Sequence, residues 1–133
     1  MTTVLLATDY DGLFDDVDGA LASADTDVLR VKAGADVLPV CQEKSPDLVI
    51  LDLQIGNMGG IATCIALKQE QGAGRLPEFA VALLLDRAVD VFLAQEASAD
   101  GWLIKPIDSL RLRRMANALL AGETAFEHPS ATP

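Results

Sequence analysis

Pro46-Asp47-Leu48-Val49-Ile50-Leu51-Asp52 decides the fold. Four consecutive apolar residues end in an aspartate, and a loop with three glycines, Gln54-Ile55-Gly56-Asn57-Met58-Gly59-Gly60, follows at once. A short uninterrupted run of Leu, Val and Ile is the pattern of a strand buried on both faces of a parallel sheet. Pro46 sets its start and the glycines its end. Asp52 therefore stands at the carboxyl end of a central strand, where open α/β sheets place their ligands. Taken alone, Asp52 reads better as the cap of the helix that follows.

Outward from that strand, the same alternation repeats along the chain. Thr3 to Thr8 forms a first strand closed by Asp9-Tyr10-Asp11-Gly12. A helix runs from about Leu13 to Ser23, with Leu13, Phe14, Val17 and Leu21 on one face. Val28 to Lys32 is a second strand, and Ala35 to Glu43 a second helix shortened by Pro39. A third helix spans about Gly60 to Gln71, a fourth strand Phe79 to Leu85, and a fourth helix capped by Asp86 reaches about Ala97. Gly101 to Ile104 is a fifth strand closed by Lys105-Pro106. In a last helix capped by Asp108, the apolar positions Leu112, Met115, Leu119 and Leu120 face inward, with Arg111, Arg113 and Arg114 on or near the outer side.

Five strand–helix units with short connections predict a three-layer α/β/α sandwich with right-handed crossovers. Its sheet is parallel and five-stranded, in the flavodoxin-like order 2-1-3-4-5. One domain is expected over residues 1–122, and a frayed tail over 123–133 that carries His128, the only histidine.

Composition narrows the function. The chain has 133 residues, half of them apolar and 5% aromatic, and a net charge of −10. Its first 27 residues hold seven acids and no base, which argues against nucleic acid or an anionic membrane as partner. Neither a membrane-length apolar run nor a secretory signal is visible, so a cytoplasmic location is expected. Cys41 and Cys64 lie in apolar helical patterns and read as reduced core thiols.

Three strands end in charged residues: the first at Asp9, the third at Asp52, the fifth at Lys105. In the order above these ends are close enough to share one crevice. Close carboxylates favour a hard divalent cation bound through oxygen. A carboxylate can also act as nucleophile in phosphoryl transfer, with metal and lysine neutralising the transferred group.

Val4-Leu5-Leu6-Ala7-Thr8-Asp9, the opening stretch through Asp52, Met58-Gly59-Gly60 and Lys105-Pro106 together resemble the response-regulator receiver domain of two-component signalling, over about Thr2 to Ala121. The resemblance implies that Asp52 is the phosphoacceptor. It places Mg²⁺ on Asp9, Asp52 and the main-chain carbonyl of Gln54, and Lys105 at the phosphoryl group. It further implies a cis Lys105-Pro106 peptide, a histidine kinase or phosphotransfer protein as donor, and a downstream protein effector. A homodimer through the fourth helix, fifth strand and fifth helix belongs to the same set, with Trp102, Arg111, Arg113 and Arg114 on the interface or switch surface.

The departures are equally specific. Thr8 stands where receivers usually carry a second acid, which predicts weaker metal affinity. The fourth strand ends at Leu85 with no hydroxyl, so the usual Ser or Thr contact to the phosphoryl group has no donor here. Gly56 replaces a common proline, and Gly59 a frequent Asp. Two functions compete: a stand-alone phosphorylated receiver that signals by protein contact, and a pseudo-receiver acting as a constitutive interaction module. A flavin- or nucleotide-binding enzyme of similar fold is disfavoured, because no glycine-rich phosphate loop follows the first strand.

Overall fold

The structure is a computed structural model, and it describes residues 1–127. Six parallel strands form one sheet in the order β2-β1-β3-β4-β5-β6. They are β1 (Thr2–Ala7), β2 (Thr26–Val31), β3 (Leu48–Asp52), β4 (Ala80–Leu85), β5 (Gly101–Ile104) and β6 (Ala125–Phe126). Five helices cross over between them: α1 (Asp11–Leu21), α2 (Val37–Lys44), α3 (Gly60–Gly72), α4 (Val91–Glu96) and α5 (Ser109–Leu120). The predicted order 2-1-3-4-5 is present, extended by one edge strand.

Strand parity sorts the core into two layers. Val4 and Leu6 of β1, Leu48 and Ile50 of β3, Ala82 and Leu84 of β4, and Leu103 of β5 face α1 and α5. Their neighbours Leu5, Ala7, Val49, Leu51, Val81, Leu83, Leu85 and Trp102 face α2, α3 and α4. All five residues of β3 are buried, as the opening stretch predicts for a central parallel strand. Cys41 and Cys64 are free and buried in the second layer, where burial pushes each thiol up to about 12.

Several boundaries moved for local reasons. Pro39 lies in the first turn of α2, where its missing N–H has no helical partner to lose, so the helix continues to Lys44. A 3-10 turn, Gly34–Asp36, precedes it. The fourth helix is short: a 3-10 turn at Ala88–Asp90 leads into six α-helical residues. Asp86 does not cap it. Leu120, expected inside, is exposed, while Leu112, Met115 and Leu119 are buried.

The predicted tail is the largest correction. Residues 125–126 pair in parallel with Gly101 and Trp102 of β5. Phe126 stacks on the Trp102 ring at 4.4 Å between centroids, and the Trp102 indole N–H donates to the Glu127 carbonyl at 2.8 Å. Burying a tryptophan requires a partner for its N–H, and the chain after α5 supplies it. His128 and the remaining residues of the expected tail lie outside the described residues.

Candidate functional site

Thr8, Asp52 and Lys105 meet at the carboxyl end of β3, through two successive strand ends and one loop. β1 and β3 are neighbours with Ala7 opposite Leu51, so the residues that follow, Thr8 and Asp52, emerge side by side. Both have the even parity of the α1/α5 layer. The Thr8 hydroxyl, fully buried, donates to Asp52 Oδ2 at 2.7 Å. The other oxygen, Oδ1, accepts Lys105 Nζ at 2.6 Å and the main-chain N–H of Gln54 at 3.2 Å. Asp52 is only 3% exposed, so its charge depends on these donors rather than on water.

Lys105 is held there from β5. Its main-chain N–H donates to the Leu85 carbonyl at 2.7 Å, and the Lys105-Pro106 peptide is cis, as the resemblance implied. Leu85 itself points into the α2–α4 core and brings no polar atom to Asp52.

The sequence reading missed one member. Asp86, read as a helix cap, instead joins the site. Its Oδ1 accepts Lys105 Nζ at 2.9 Å and its Oδ2 accepts Gln54 Nε2 at 2.6 Å. Lys105 is thus shared between two carboxylates. Burial works to raise the Asp86 carboxyl, but the hydrogen bonds from Lys105 and Gln54 and the lysine charge outweigh it and hold the group below the usual carboxylate range. Burial likewise works to lower Lys105, and the two carboxylates reverse it and hold the ammonium above its ordinary value.

Asp9 lies apart from this set. It is exposed, and its Oδ2 accepts the Gly56 N–H at 3.3 Å, a bond that proline at 56 would lack. The loop after β3 is tied elsewhere too: Gly56 O accepts from Gly34 N, Asn57 O from Ala35 N, and Met58 O from Thr63 Oγ1. The Gly34 contact admits no side chain, because a Cβ there would come within 1.6 Å of Met58 O.

The donor chemistry fits a hard divalent cation at its minimum. Asp9 and Asp52 supply carboxylates, and the Gln54 carbonyl accepts no hydrogen bond among the described residues. Such an oxygen set suits Mg²⁺, which keeps several waters and needs one or two carboxylates. Among the described residues no group of three or more Asp, Glu, His or Cys is placed to hold a metal ion, and the side chain beside Asp52 on β1 is the Thr8 hydroxyl.

Two residues expected on a partner surface are committed internally. Trp102 is 2% exposed beneath Phe126. Arg111 binds Glu127 through both Nε and Nη2, and also the carbonyls of Ile104 and Pro106. With the Asp108 carboxylate, which also accepts from Nη1, five acceptor atoms meet its five N–H donors. Arg113 and Arg114 are exposed on α5.

Comparison with known proteins agrees with the fold. Residues 4–117 match the family model of the response regulator receiver domain. The chain is 29% identical over 123 residues to the nitrate/nitrite response regulator protein NarL of Escherichia coli K12, covering 91% of this chain and 56% of NarL. It is 34% identical over 113 residues to the DNA-binding response regulator MtrA of Mycobacterium tuberculosis H37Rv, covering 79% and 48%. The chain thus spans about half the length of the curated relatives it matches. Among solved structures, a putative response regulator from Chloroflexus aurantiacus J-10-fl superposes with a TM-score of 0.79 at 24% identity, over 90% of this chain and 98% of that one. The chemotaxis response regulator CheY4 of Vibrio cholerae gives 0.77 at 21%, over 90% and 98%. These two show the shared fold. The match across residues 4–117 makes the chain a member of the response regulator receiver domain family of two-component signalling.

Proposed function

We propose that this receiver accepts a phosphoryl group on Asp52, with Mg²⁺ on Asp9, Asp52 and the Gln54 carbonyl, and signals by binding another protein. The observation that carries the reading is the Lys105 ammonium on Asp52 Oδ1 at 2.6 Å, on a nearly buried carboxylate at the end of the central strand. In the transfer, an Asp52 oxygen attacks phosphorus and forms a P–O bond. The bond from phosphorus to the donor breaks, and its electron pair leaves with the imidazole of a phosphohistidine or the carboxylate of an acyl phosphate. Lys105 faces the incoming negative oxygens, and Gln54 N–H and the Thr8 hydroxyl hold the carboxylate in place. Bound Mg²⁺ would neutralise further charge on the transferred group.

A histidine kinase or phosphotransfer protein is the donor this chemistry calls for, and a protein effector the recipient of the signal. MtrA is a DNA-binding response regulator. The residues of this chain carry a net charge of −10 and suit protein contact better than a phosphate backbone. Val89 on the 3-10 turn, Phe92 and Leu93 on α4 and Leu110 on α5 are exposed apolar side chains, and with Arg113 and Arg114 they supply the partner surface. A second copy of the chain could occupy the same surface.

A second reading rests on a specific observation: every Asp52 oxygen is already satisfied within the chain, by Thr8, Lys105 and Gln54. That self-sufficiency suits a pseudo-receiver that binds its partner without modification. Intact mass after incubation with Mg²⁺ and acetyl phosphate separates the two. The proposed function expects the mass of one phosphoryl group on the wild-type protein and none on Asp52→Asn. An unmodified wild type would establish the pseudo-receiver.

A further inference from the structure

Receivers relay their state through a hydroxyl at the end of the fourth strand, and Ala80–Leu85 contains none. What stands next in the chain is Asp86, a negative charge where the usual group is neutral. We propose that Asp86 is the positioning residue that replaces that hydroxyl, and that it works in the opposite sense. In the unmodified domain it holds Lys105 against Asp52. When Asp52 carries a phosphoryl group, charge repulsion drives Asp86 outward and moves the start of α4. The inference rests on Asp52 being the phosphoacceptor.

The geometry supplies each step. Lys105 Nζ touches Asp52 at 2.6 Å and Asp86 at 2.9 Å, so the two carboxylates lie within about 6 Å of each other, inside the range of strong mutual influence. One ammonium balances two negative charges only partly, and Gln54 Nε2 stabilises the second. Phosphorylation replaces the Asp52 charge by one closer to −2 and adds oxygens that compete for the same ammonium. Asp86 then loses its cation while facing a larger like charge. Its side chain is about a quarter exposed, so it has a route into solvent.

Asp86 is coupled to the helix by its chain neighbour. The Arg87 N–H donates to Asp90 Oδ2 at 2.9 Å, and Asp90 is buried at the end of the 3-10 turn that leads into α4. Displacing Asp86 therefore pulls on a closed turn rather than a free loop. Val89 and Phe92, exposed on that turn and on α4, are the surface that would move. An inward pull by a hydroxyl is exchanged for an outward push by a carboxylate.

Hydrogen exchange of residues 86–97, read by mass spectrometry on the whole chain with and without Mg²⁺ and acetyl phosphate, tests this. The wild type, once its mass shows the phosphoryl group, should exchange about threefold faster there. In Asp86→Asn, which keeps an acceptor for Lys105 but no charge, the change should vanish at equal phosphorylation. Asp86→Glu should restore it, and added salt should shrink it in the wild type, since the side chain is partly solvated. An equal change in Asp86→Asn and wild type, or a phosphorylated wild type with no change, would overturn the repulsive relay. A wild type that gains no phosphoryl mass would instead overturn the phosphoacceptor reading itself.

Discussion

The Thr8 hydroxyl sits on Asp52 Oδ2 at 2.7 Å, fully buried, in a position where most receivers have a carboxylate. A neutral donor there stabilises the Asp52 charge without metal, whereas a second acid would need a cation to coexist with it. Thr8→Val should therefore cost about 1–2 kcal/mol, the penalty for leaving a buried oxygen without its donor. Thr8→Asp should melt lower than wild type in chelator and recover with millimolar Mg²⁺ by more degrees than wild type gains. Thermal melts with and without Mg²⁺ check both; equal Mg²⁺ shifts in the two proteins would contradict the argument.

Lys105 and Asp52 form a pair in which one member is nearly buried. Removing the cation alone, as Lys105→Met, should destabilise the domain by about 2 kcal/mol because Asp52 keeps a charge it cannot hydrate. Neutralising both, as Asp52→Asn with Lys105→Met, should regain part of that loss. Urea denaturation of the two single variants and the double variant forms the test, and additive losses would rule out the coupling.

The same cluster sets a pH window. Asp86 is held below its unfolded value, so it adds stability that is present above about pH 4 and lost as pH falls through the folded value. Lys105 is held above its unfolded value, so its contribution is full below about pH 10 and lost as pH rises through the folded value. Asp86→Asn should flatten the acid limb of a stability–pH curve while weakening the alkaline limb only through Lys105. An unchanged acid limb would exclude Asp86 as a contributor.

Deleting residues 123–133 removes β6, the Phe126 stack and the acceptor of the Trp102 N–H. The shortened protein should lose about 2 kcal/mol and show a red-shifted tryptophan emission, as the indole gains water. Trp102 is the only tryptophan, so the signal is unambiguous. For the same reason its fluorescence reports first on the C-terminal segment and only indirectly on Asp52. Unshifted emission after the deletion would mean that β6 does not cover the ring.

Gly34 is a steric prediction. Alanine there drives Cβ into the Met58 carbonyl, so the loop from Gln54 to Gly59 must shift. Gly34→Ala should cost about 2 kcal/mol, and amide resonances of the 54–59 loop should move in NMR spectra. A native melting temperature would mean the loop has more room than the contact allows.

Asp52 and Lys105 were legible because strand ends are legible: a buried apolar run fixes parity and direction, and whatever follows it lies at the sheet's rim. Asp86 obeys the same logic and was still misread, since an aspartate before a helix carries the signature of a cap. Parity was the available signal. Leu84 pairs with Asp52, so two residues later a side chain returns to the Asp52 side of the sheet. The sixth strand was less accessible. It is two residues long, and main-chain pairing and one carbonyl do much of the holding, neither of which composition records. Arg111 followed from it: a helix-surface arginine reads as free until the chain returns with Glu127.

That return alters how anything could be joined to the domain. With Glu127 fastened to Arg111 and to β5, the chain leaves from the open edge of the sheet instead of the end of α5. A reporter fused directly after Glu127 would inherit a fixed bearing from the strands beside it. One spliced in at Ala121 would swing from a helix end and leave the indole bare. The junction, not the linker length, sets which of these two instruments is built.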